Sequence, residues 1–499
     1  MNHSHFDLFV VGGGINGTGI AADAAGRGLN VGLCEMGDLA HATSSSSSKL
    51  IHGGLRYLEH YEFRLVKEAL TEREVLLKVA PHLVTPMRFQ MPHRPHLRPA
   101  WLIRIGLFLY DNLGKRETLL GSKGVKYGAD SPLKDDIKQG FEYSDCWVDD
   151  ARLVVTNALS AQQNGTSIFA RTRCISAKRF DNQWHIQLED QTTNETLDIT
   201  AKALVNAAGP WVSSFIETKL EQKAPYGIRM IKGSHIVVPK LYQHSNAFIM
   251  QNTDKRIVFA IPYREHYTLL GTTDVEYKGN PNDVAISEDE TQYILKVAND
   301  HFKKTLSPAD VVWSYSGVRP LLEDESSDPS AVTRDYTLHL DDQNQHAPLL
   351  SIFGGKITTY RKLALSAMTK LAPYFDKLGG EWTHSKPLPG GDLGMPLDAF
   401  SMKLQKDYPF IGAQLARRFA NSYGTLTHTL LNKANTESDL GQHFGNQLFQ
   451  VEVDYLINHE WARTAEDVLW RRTKLGLEFT PEQASALDEY ITSQVNAVH

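Results

Sequence analysis

Residues Asp7 to Glu35, DLFVVGGGINGTGIAADAAGRGLNVGLCE, decide the fold. Asp7 to Val11 is a short apolar run that reads as a buried strand, Ile15 to Gly28 as a helix opened by glycines, and Val31 to Glu35 as a second strand. Gly12, Gly14 and Gly17 stand in GxGxxG spacing between the first strand and the helix, which is the context that gives the pattern meaning. Gly12 permits the tight turn, Gly14 lets a pyrophosphate approach the backbone, and Gly17 allows close packing of helix on strand, with Asn16 beside it. The helix N-terminus adds N–H groups and partial positive charge. Glu35 closes the second strand, where a carboxylate accepts from ribose hydroxyls and disfavours a 2′-phosphate. A dinucleotide other than NADP is expected; the fingerprint by itself does not separate FAD from NAD.

Further along, Phe63 to Ala80 puts Leu65, Ala69, Leu70, Val75, Leu76 and Val79 on one helical face, and Pro81 ends it. Ser167 to Arg171, Trp184 to Glu189 and Leu197 to Thr200 read as strands, the last two as a small antiparallel insert, before Ala203 to Asn206 feeds the turn Gly209-Pro210-Trp211. Four runs rich in Val, Ile, Phe and Tyr follow: His235 to Val238, Phe248 to Gln251, Ile257 to Pro262 and Tyr267 to Gly271. They predict a separate, largely antiparallel sheet. Leu349 to Phe353 is another buried strand, leading through Gly354-Gly355 into a helix from Thr358 to about Leu371. After the turn-rich stretch Pro387 to Pro396, Val451 to Trp461 and Ala465 to Leu475 look helical.

A chain of 499 residues, 41% of them apolar, exceeds one compact core and should form two or three domains. The formal charge of −6 excludes a protein whose main task is neutralising nucleic-acid phosphates. Cys34, Cys146 and Cys174 form no CxxC pair, so neither a disulfide framework nor a metal site is expected, and a reducing compartment suits them. The N-terminus shows no secretory signal, and the longest apolar stretch, Ala100 to Tyr110, is interrupted by Arg104 and too short to span a bilayer. Within Arg88 to Arg116, however, Arg88, Arg94, Arg98, Arg104, Lys115 and Arg116 face a single acid, Asp111, and enclose that stretch. Such a segment suits an anionic lipid surface as well as it suits a buried core face.

Two more segments carry chemistry. TSSSSSKLIHGGLRY, Thr43 to Tyr57, joins small hydroxyls, paired glycines and a cation; followed by an amphipathic helix, it reads as a packed cofactor loop more than as a flexible linker. FGGKITT, Phe353 to Thr359, places glycines before a helix whose N–H dipoles would face a flavin ring and favour its anionic reduced form. These segments, with FEYSDCWVDDARL (Phe141 to Leu153), IKGSHIVVP, GTTDVEY, YSGVRPL and FGGKITTYRKLA, resemble the FAD-dependent aerobic glycerol-3-phosphate dehydrogenases of bacteria. The resemblance runs from Asp7 into the C-terminal region, where distinctive segments are fewer.

It implies FAD as cofactor, sn-glycerol 3-phosphate as substrate, and membrane quinone as electron acceptor, with the enzyme held peripherally on the cytoplasmic face of the cell membrane; a homodimer is the expected assembly. The expected class is α/β: a Rossmann-type FAD-binding domain assembled from 1–85, 151–225 and 346–385, an antiparallel-sheet substrate domain from 86–150 and 226–345, and a helical C-terminal domain, 386–499. Cofactor contacts are expected from Gly12, Gly14, Asn16, Gly17, Glu35, Thr43, Ser44, Ser45, Ser48, Lys49, Leu50, His52, Cys174, Gly209, Trp211, Gly354, Gly355, Lys356, Ile357 and Thr358. His52 and His235, in HGG and GSH, are the candidate bases for removing the hydroxyl proton, and they stay unranked. A phosphate dianion wants several cations. Arg56, Arg319, Arg334 and Lys356 are the candidates, Arg319 also as a catalytic group, with Tyr57 as a hydroxyl donor. The rival readings are a glycerophosphate oxidase that delivers electrons to oxygen, an amine-oxidising flavoenzyme, and a flavoprotein that binds RNA or a partner.

Overall fold

A computed structural model describes residues 4–94, 99–254, 256–323, 335–342 and 347–497, with His60 and Ala497 described by backbone alone. The opening unit forms as expected: strand Ser4–Val11, helix Ile15–Gly26, strand Val31–Cys34. The helix is built from small residues because it lies flat against its neighbours. Ala21 and Ala24 are fully buried, Gly19 meets the ring of Tyr360, and Gly26 meets the indole of Trp382. Larger side chains at these positions would push the layers apart.

The parallel strands run in the order Leu349–Phe353, Thr196–Asn206, Ser4–Val11, Val31–Cys34 and Ser167–Phe169, with Thr337–Asp341 added antiparallel at one edge. They are near-continuous apolar runs, as strands covered on both faces require. Two details differ from the sequence reading. Leu197 to Thr200 and Ala203 to Asn206 are one strand, Thr196–Asn206, whose first half pairs antiparallel with Gln183–Asp190 while its length pairs parallel with Ser4–Val11. A further strand, Thr172–Phe180, completes the antiparallel insert; a bulge between Cys174 and Ser176 breaks its alternation, so the period-2 pattern is lost in the sequence.

Among the described residues the second sheet has ten strands. Its centre consists of Ile228–Pro239, Tyr267–Gly271, Ile257–Tyr263 and Ala247–Gln251, the four runs read from the sequence, each pairing antiparallel with the next in that order. Ala247–Gln251 then pairs parallel with Val84–His93, which pairs antiparallel with Gln139–Val148. Leu50–Ile51 also joins this sheet, so the segment that follows the serine run has already left the first sheet for the second. Trp313–Leu322 lies along Ile228–Pro239 and brings Gly317 opposite Gly233.

The third region, from Leu397 onward, is mostly helical around Phe419, Tyr423, Leu456 and Leu487. Gln450–His459 is the expected helix. Ala465 to Leu475 is not an ordinary helix: Asp467–Arg472 forms a wide π-turn. Among the described residues no helix is long and apolar enough to cross a membrane. The apolar stretch read near residue 100 is the helix Ala100–Asn112, whose Ile103, Leu107 and Tyr110 are buried while Trp101 and Phe108 are 63% and 65% exposed.

Candidate active site

Four loops meet at the carboxyl ends of the parallel strands, the place where such sheets bind ligands. Gly12 leaves the first strand at φ +114°, and a Cβ there would lie 2.4 Å from the carbonyl oxygen of Ala207. A Cβ on Gly17 would lie 1.9 Å from the carbonyl oxygen of Gly12. Only glycine fits either place. The loop is then tied to its neighbours: the Ile15 N–H donates to Ser44 Oγ at 3.0 Å, and Asn16 Nδ2 donates to the Gly354 carbonyl at 3.1 Å.

Glu35 holds the fingerprint loop. One of its carboxylate oxygens accepts from the Gly13 N–H at 2.7 Å, the other from the Gly37 N–H at 2.9 Å, and His41 Nδ1 lies 3.3 Å away. Burial alone would raise its pKa, but the His41 hydrogen bond and charge and the two N–H groups hold it below the usual value. His41 is raised in return: Glu35 outweighs its burial.

The serine run forms a short tight turn, Thr43–Ser45, then an irregular loop. Thr43 donates to the Val318 carbonyl at 2.7 Å and Ser47 Oγ to Asp150 at 2.7 Å. Lys49 is 2% exposed, and its ammonium donates to Asp150 and to the Ser45 carbonyl. Burial pushes the Lys49 pKa down even so, while for Asp150 the cations Lys49 and Lys474 outweigh burial and hold it low.

These loops enclose a cavity of about 560 Å³, within the usual size of a ligand site. Of the candidate cofactor residues, Gly12, Gly14, Asn16, Glu35, Thr43, Ser44, Ser48, Leu50, His52, Cys174, Gly209, Trp211, Gly354, Gly355, Lys356, Ile357 and Thr358 line it. Gly17, Ser45 and Lys49 do not. Gly17 lies beneath the turn, and the Lys49 side chain points into the ion pair with Asp150. The helix expected from Thr358 starts at Tyr360, after the tight turn Ile357–Thr359, and Gly354 and Gly355 lead in at φ +78° and +101°.

Arg56, Tyr57, His235 and Arg319 line the same cavity; Arg334 lies outside the described residues, as does Arg98. His235 is buried, with Nε2 2.9 Å from Ser48 Oγ and its ring stacked on Tyr315 at 4.8 Å and 15°. Burial, then the nearby Arg319 and Lys49 cations, push its pKa well down, so it is a neutral imidazole. Arg319 pairs with Asp274 and donates to Thr272 Oγ1 at 3.1 Å. The Lys356 ammonium sits 3.9 Å from the ring centre of Tyr57, a cation–π contact. The His52 N–H donates to Thr358 Oγ1, joining the HGG segment to the late loop. The next N–H, of Gly53, meets Tyr110 Oη at 2.8 Å, and that hydroxyl donates to the buried Asp145, partner of Arg73.

Sequence reasoning missed the apolar residues Tyr143, Ile249, Ile257 and Phe259 and the cations Arg173 and Lys219 of the lining. The first four read as ordinary strand interior, and only the folding of one sheet over the other's loops turns them toward a ligand. Thr272 and Asp274 stood in a quoted motif without an assigned role; Thr273 instead donates to Glu290, behind the wall.

The donor set suits a flavin dinucleotide. The wall offers backbone N–H groups and small hydroxyls, Gly14 presents bare backbone 3.1 Å from Ser44 Oγ at the place a Cβ would take, and Asn16 Oδ1 is buried with no partner among the described residues. Fold and cavity together define an FAD-dependent oxidoreductase. A family model described as FAD dependent oxidoreductase matches residues 7–361, and one described as the C-terminal domain of alpha-glycerophosphate oxidase matches residues 382–495. A glycerol-3-phosphate dehydrogenase of Pseudomonas aeruginosa is 60% identical, over 98% of this chain and 95% of that protein. The aerobic glycerol-3-phosphate dehydrogenase of Escherichia coli is 57% identical, over 97% of each. The crystal structure of the glycerol-3-phosphate dehydrogenase from Bacillus halodurans complexed with FAD superposes with a TM-score of 0.75 at 26% identity, covering 99% of this chain and 95% of that one. The chain belongs to the family of FAD-dependent glycerol-3-phosphate dehydrogenases.

Proposed function

We propose that this enzyme oxidises sn-glycerol 3-phosphate to dihydroxyacetone phosphate and passes the electrons to a membrane quinone, in glycerol catabolism and respiration. The observation that carries the reading is the convergence of Arg56, Arg319 and Lys356 with two histidines on the wall of the cofactor cavity. Bound FAD supplies the hydride acceptor. Arg319, steadied by Asp274, presents a fixed guanidinium to the substrate oxygens, and Arg56 and Lys356 complete a cationic set suited to a phosphate dianion. We assign proton removal from the substrate hydroxyl to His52. His235, whose Nε2 is engaged by Ser48 Oγ and whose ring is stacked on Tyr315, orients Ser48 and the substrate instead. Tyr143, Ile249, Ile257 and Phe259 keep water from the reacting carbon.

The electron acceptor is in the bilayer, so we place the enzyme peripherally on the cytoplasmic membrane surface, as a homodimer, and assign lipid contact to the outer face of Ala100–Asn112. Trp101, Leu102, Ile105 and Phe108 are exposed there, with Arg104 on the helix and Lys115 and Arg116 just beyond. Apolar insertion and charge attraction add on such a face. Trp101→Glu with Phe108→Glu should lower co-sedimentation with vesicles containing phosphatidylglycerol at least tenfold and leave activity toward a soluble quinone intact; unchanged sedimentation removes the helix from the membrane.

The deciding experiment is anaerobic mixing of the purified holoenzyme with sn-glycerol 3-phosphate while following flavin absorbance near about 450 nm. Bleaching that a soluble quinone reverses is the expected result. No bleaching with FAD bound refutes the substrate, bleaching only with a four-carbon polyol phosphate reassigns its length, and rapid peroxide formation in air makes the enzyme an oxidase.

A further inference from the structure

The π-turn Asp467–Arg472 has no role in the reaction as described, yet its side chains reach three different segments behind the cofactor loops. Arg472 donates through both terminal nitrogens to Asp38 at 2.7 and 2.8 Å, and Arg471 Nε donates to the same carboxylate at 2.6 Å. Asp38 sits between Glu35 and His41, both of which line the cavity. Asp467 pairs with Arg171, whose own N–H donates to the Gly37 carbonyl at 2.9 Å. Lys474, just past the turn, pairs with Asp149 and Asp150; Asp150 in turn receives Ser47 Oγ and Lys49 from the serine loop.

An aromatic stack reinforces the ion pairs. Trp470 of the turn stacks on Trp313 at 4.4 Å, Trp313 lies 5.0 Å from Tyr315, and Tyr315 stacks on His235 while its hydroxyl donates to the Ser47 carbonyl at 2.8 Å. Ser47 is thereby fixed from two sides. The loops 36–41 and 43–49 contain little regular structure, so their shape depends on what holds them from outside. π-turns recur at functional sites because they re-aim side chains that an α-helix would space differently; here Arg471 and Arg472 converge on Asp38, Trp470 reaches Trp313, and Lys474 reaches Asp149 and Asp150.

We propose that residues 467–474 of the C-terminal domain are the positioning element that holds the two cofactor loops in their FAD-binding shape. These side chains are positioning residues, not catalytic ones: they act through Asp38, Asp150 and Ser47. The inference rests on FAD occupying the described cavity and is independent of the substrate's identity.

The test measures FAD affinity rather than turnover. Lys474→Met leaves Lys49 on Asp150 and the Arg152 N–H on Asp149, and Arg472→Met leaves Arg471 on Asp38, so the fold should be retained. The expected result is an FAD dissociation constant raised at least tenfold, read from the fluorescence of released flavin on dilution, and an altered visible circular dichroism of bound flavin. The melting temperature should fall more in the holoenzyme than in the apoprotein. Lys474→Arg should restore all three. Equal loss of melting temperature with and without FAD, at unchanged affinity, would reduce the turn to a domain contact and overturn the proposal. If either Met variant fails to fold, the near-isosteric Asp38→Asn decides by the same readouts.

Discussion

Replacing Gly233 by alanine tests whether the position of Arg319, and not merely its charge, sets the rate. Gly233 lies in the middle of Ile228–Pro239, paired with Gly317. A Cβ there would stand 2.4 Å from Arg319 Nη2, 2.9 Å from its Cζ and 2.7 Å from Thr272 Oγ1. Its φ is not left-handed, so the strand backbone accepts alanine without strain. Restoring ordinary contact of about 3.5 Å requires the guanidinium to retreat by roughly 1 Å. A misplacement of about 1 Å can cost on the order of 100-fold in rate, or about 2.7 kcal/mol of transition-state binding. Gly233→Ala should therefore lower kcat/KM for sn-glycerol 3-phosphate by about 100-fold, with flavin content unchanged and unfolding stability altered by less than about 1 kcal/mol, since alanine also favours the strand over the unfolded chain. Arg319→Ala, which removes the charge, should lose more, by about 1,000-fold, and still retain FAD. Steady-state kinetics with a soluble quinone, run beside flavin absorbance of the purified proteins, reads both. A Gly233→Ala enzyme within threefold of the parent would show that the site tolerates a moved guanidinium, and the assignment of Arg319 to the substrate would fall with it.

Gly17→Ala places a methyl group 1.9 Å from a backbone oxygen that cannot rotate away; the protein should be isolated colourless, and a yellow preparation with full flavin content would contradict the close-packing argument. The Glu35 and His41 pair predicts a pH window. Glu35 is depressed below 4.5, so its contribution is present above that value and lost as pH falls through its folded pKa. His41 is raised above 6.5, so its contribution is complete below 6.5 and lost as pH rises through its folded pKa. His41→Asn should accordingly lower the melting temperature more at pH 5.5 than at pH 8.5; an equal loss at both would remove the ion pair as its cause.

Legibility in the sequence followed the range over which each feature is determined. The fingerprint was readable because strand, glycine turn, helix and Glu35 lie within one local unit and each residue type has a local reason. The four strands from Ile228 to Gly271 were readable because three of them, Ala247–Gln251, Ile257–Tyr263 and Tyr267–Gly271, pair in chain order and the first closes onto the last. The pairing of Leu50–Ile51 with Gln139–Val148, by contrast, is set by packing between segments almost a hundred residues apart. The same limit appears within the serine run. Its hydroxyls could be read as donors, but the direction of Lys49, into Asp150 and away from the cavity, depends on a helix N-terminus contributed by another segment.

The π-turn of the C-terminal domain is the extreme case and explains why that region looked silent. Arg471 and Arg472 meet Asp38 across 433 and 434 residues, and neither end carries a local signature: two arginines in a helical pattern resemble a solvated face, and an aspartate after a glycine resembles a turn. Burying that carboxylate with its two guanidiniums is costly unless every donor is placed, because the desolvation of each ion must be offset by the geometry of the pair. An arrangement of this kind is weak evidence for added stability, since well-packed apolar residues would serve as well. It fits better with specifying one position of the loop that follows Glu35, so that the cofactor meets a wall already in shape. The consequence is measurable in the apoprotein: with the turn intact, FAD should bind in a single phase whose rate is proportional to its concentration, and a slow, concentration-independent ordering phase should appear once Arg472 or Lys474 is replaced.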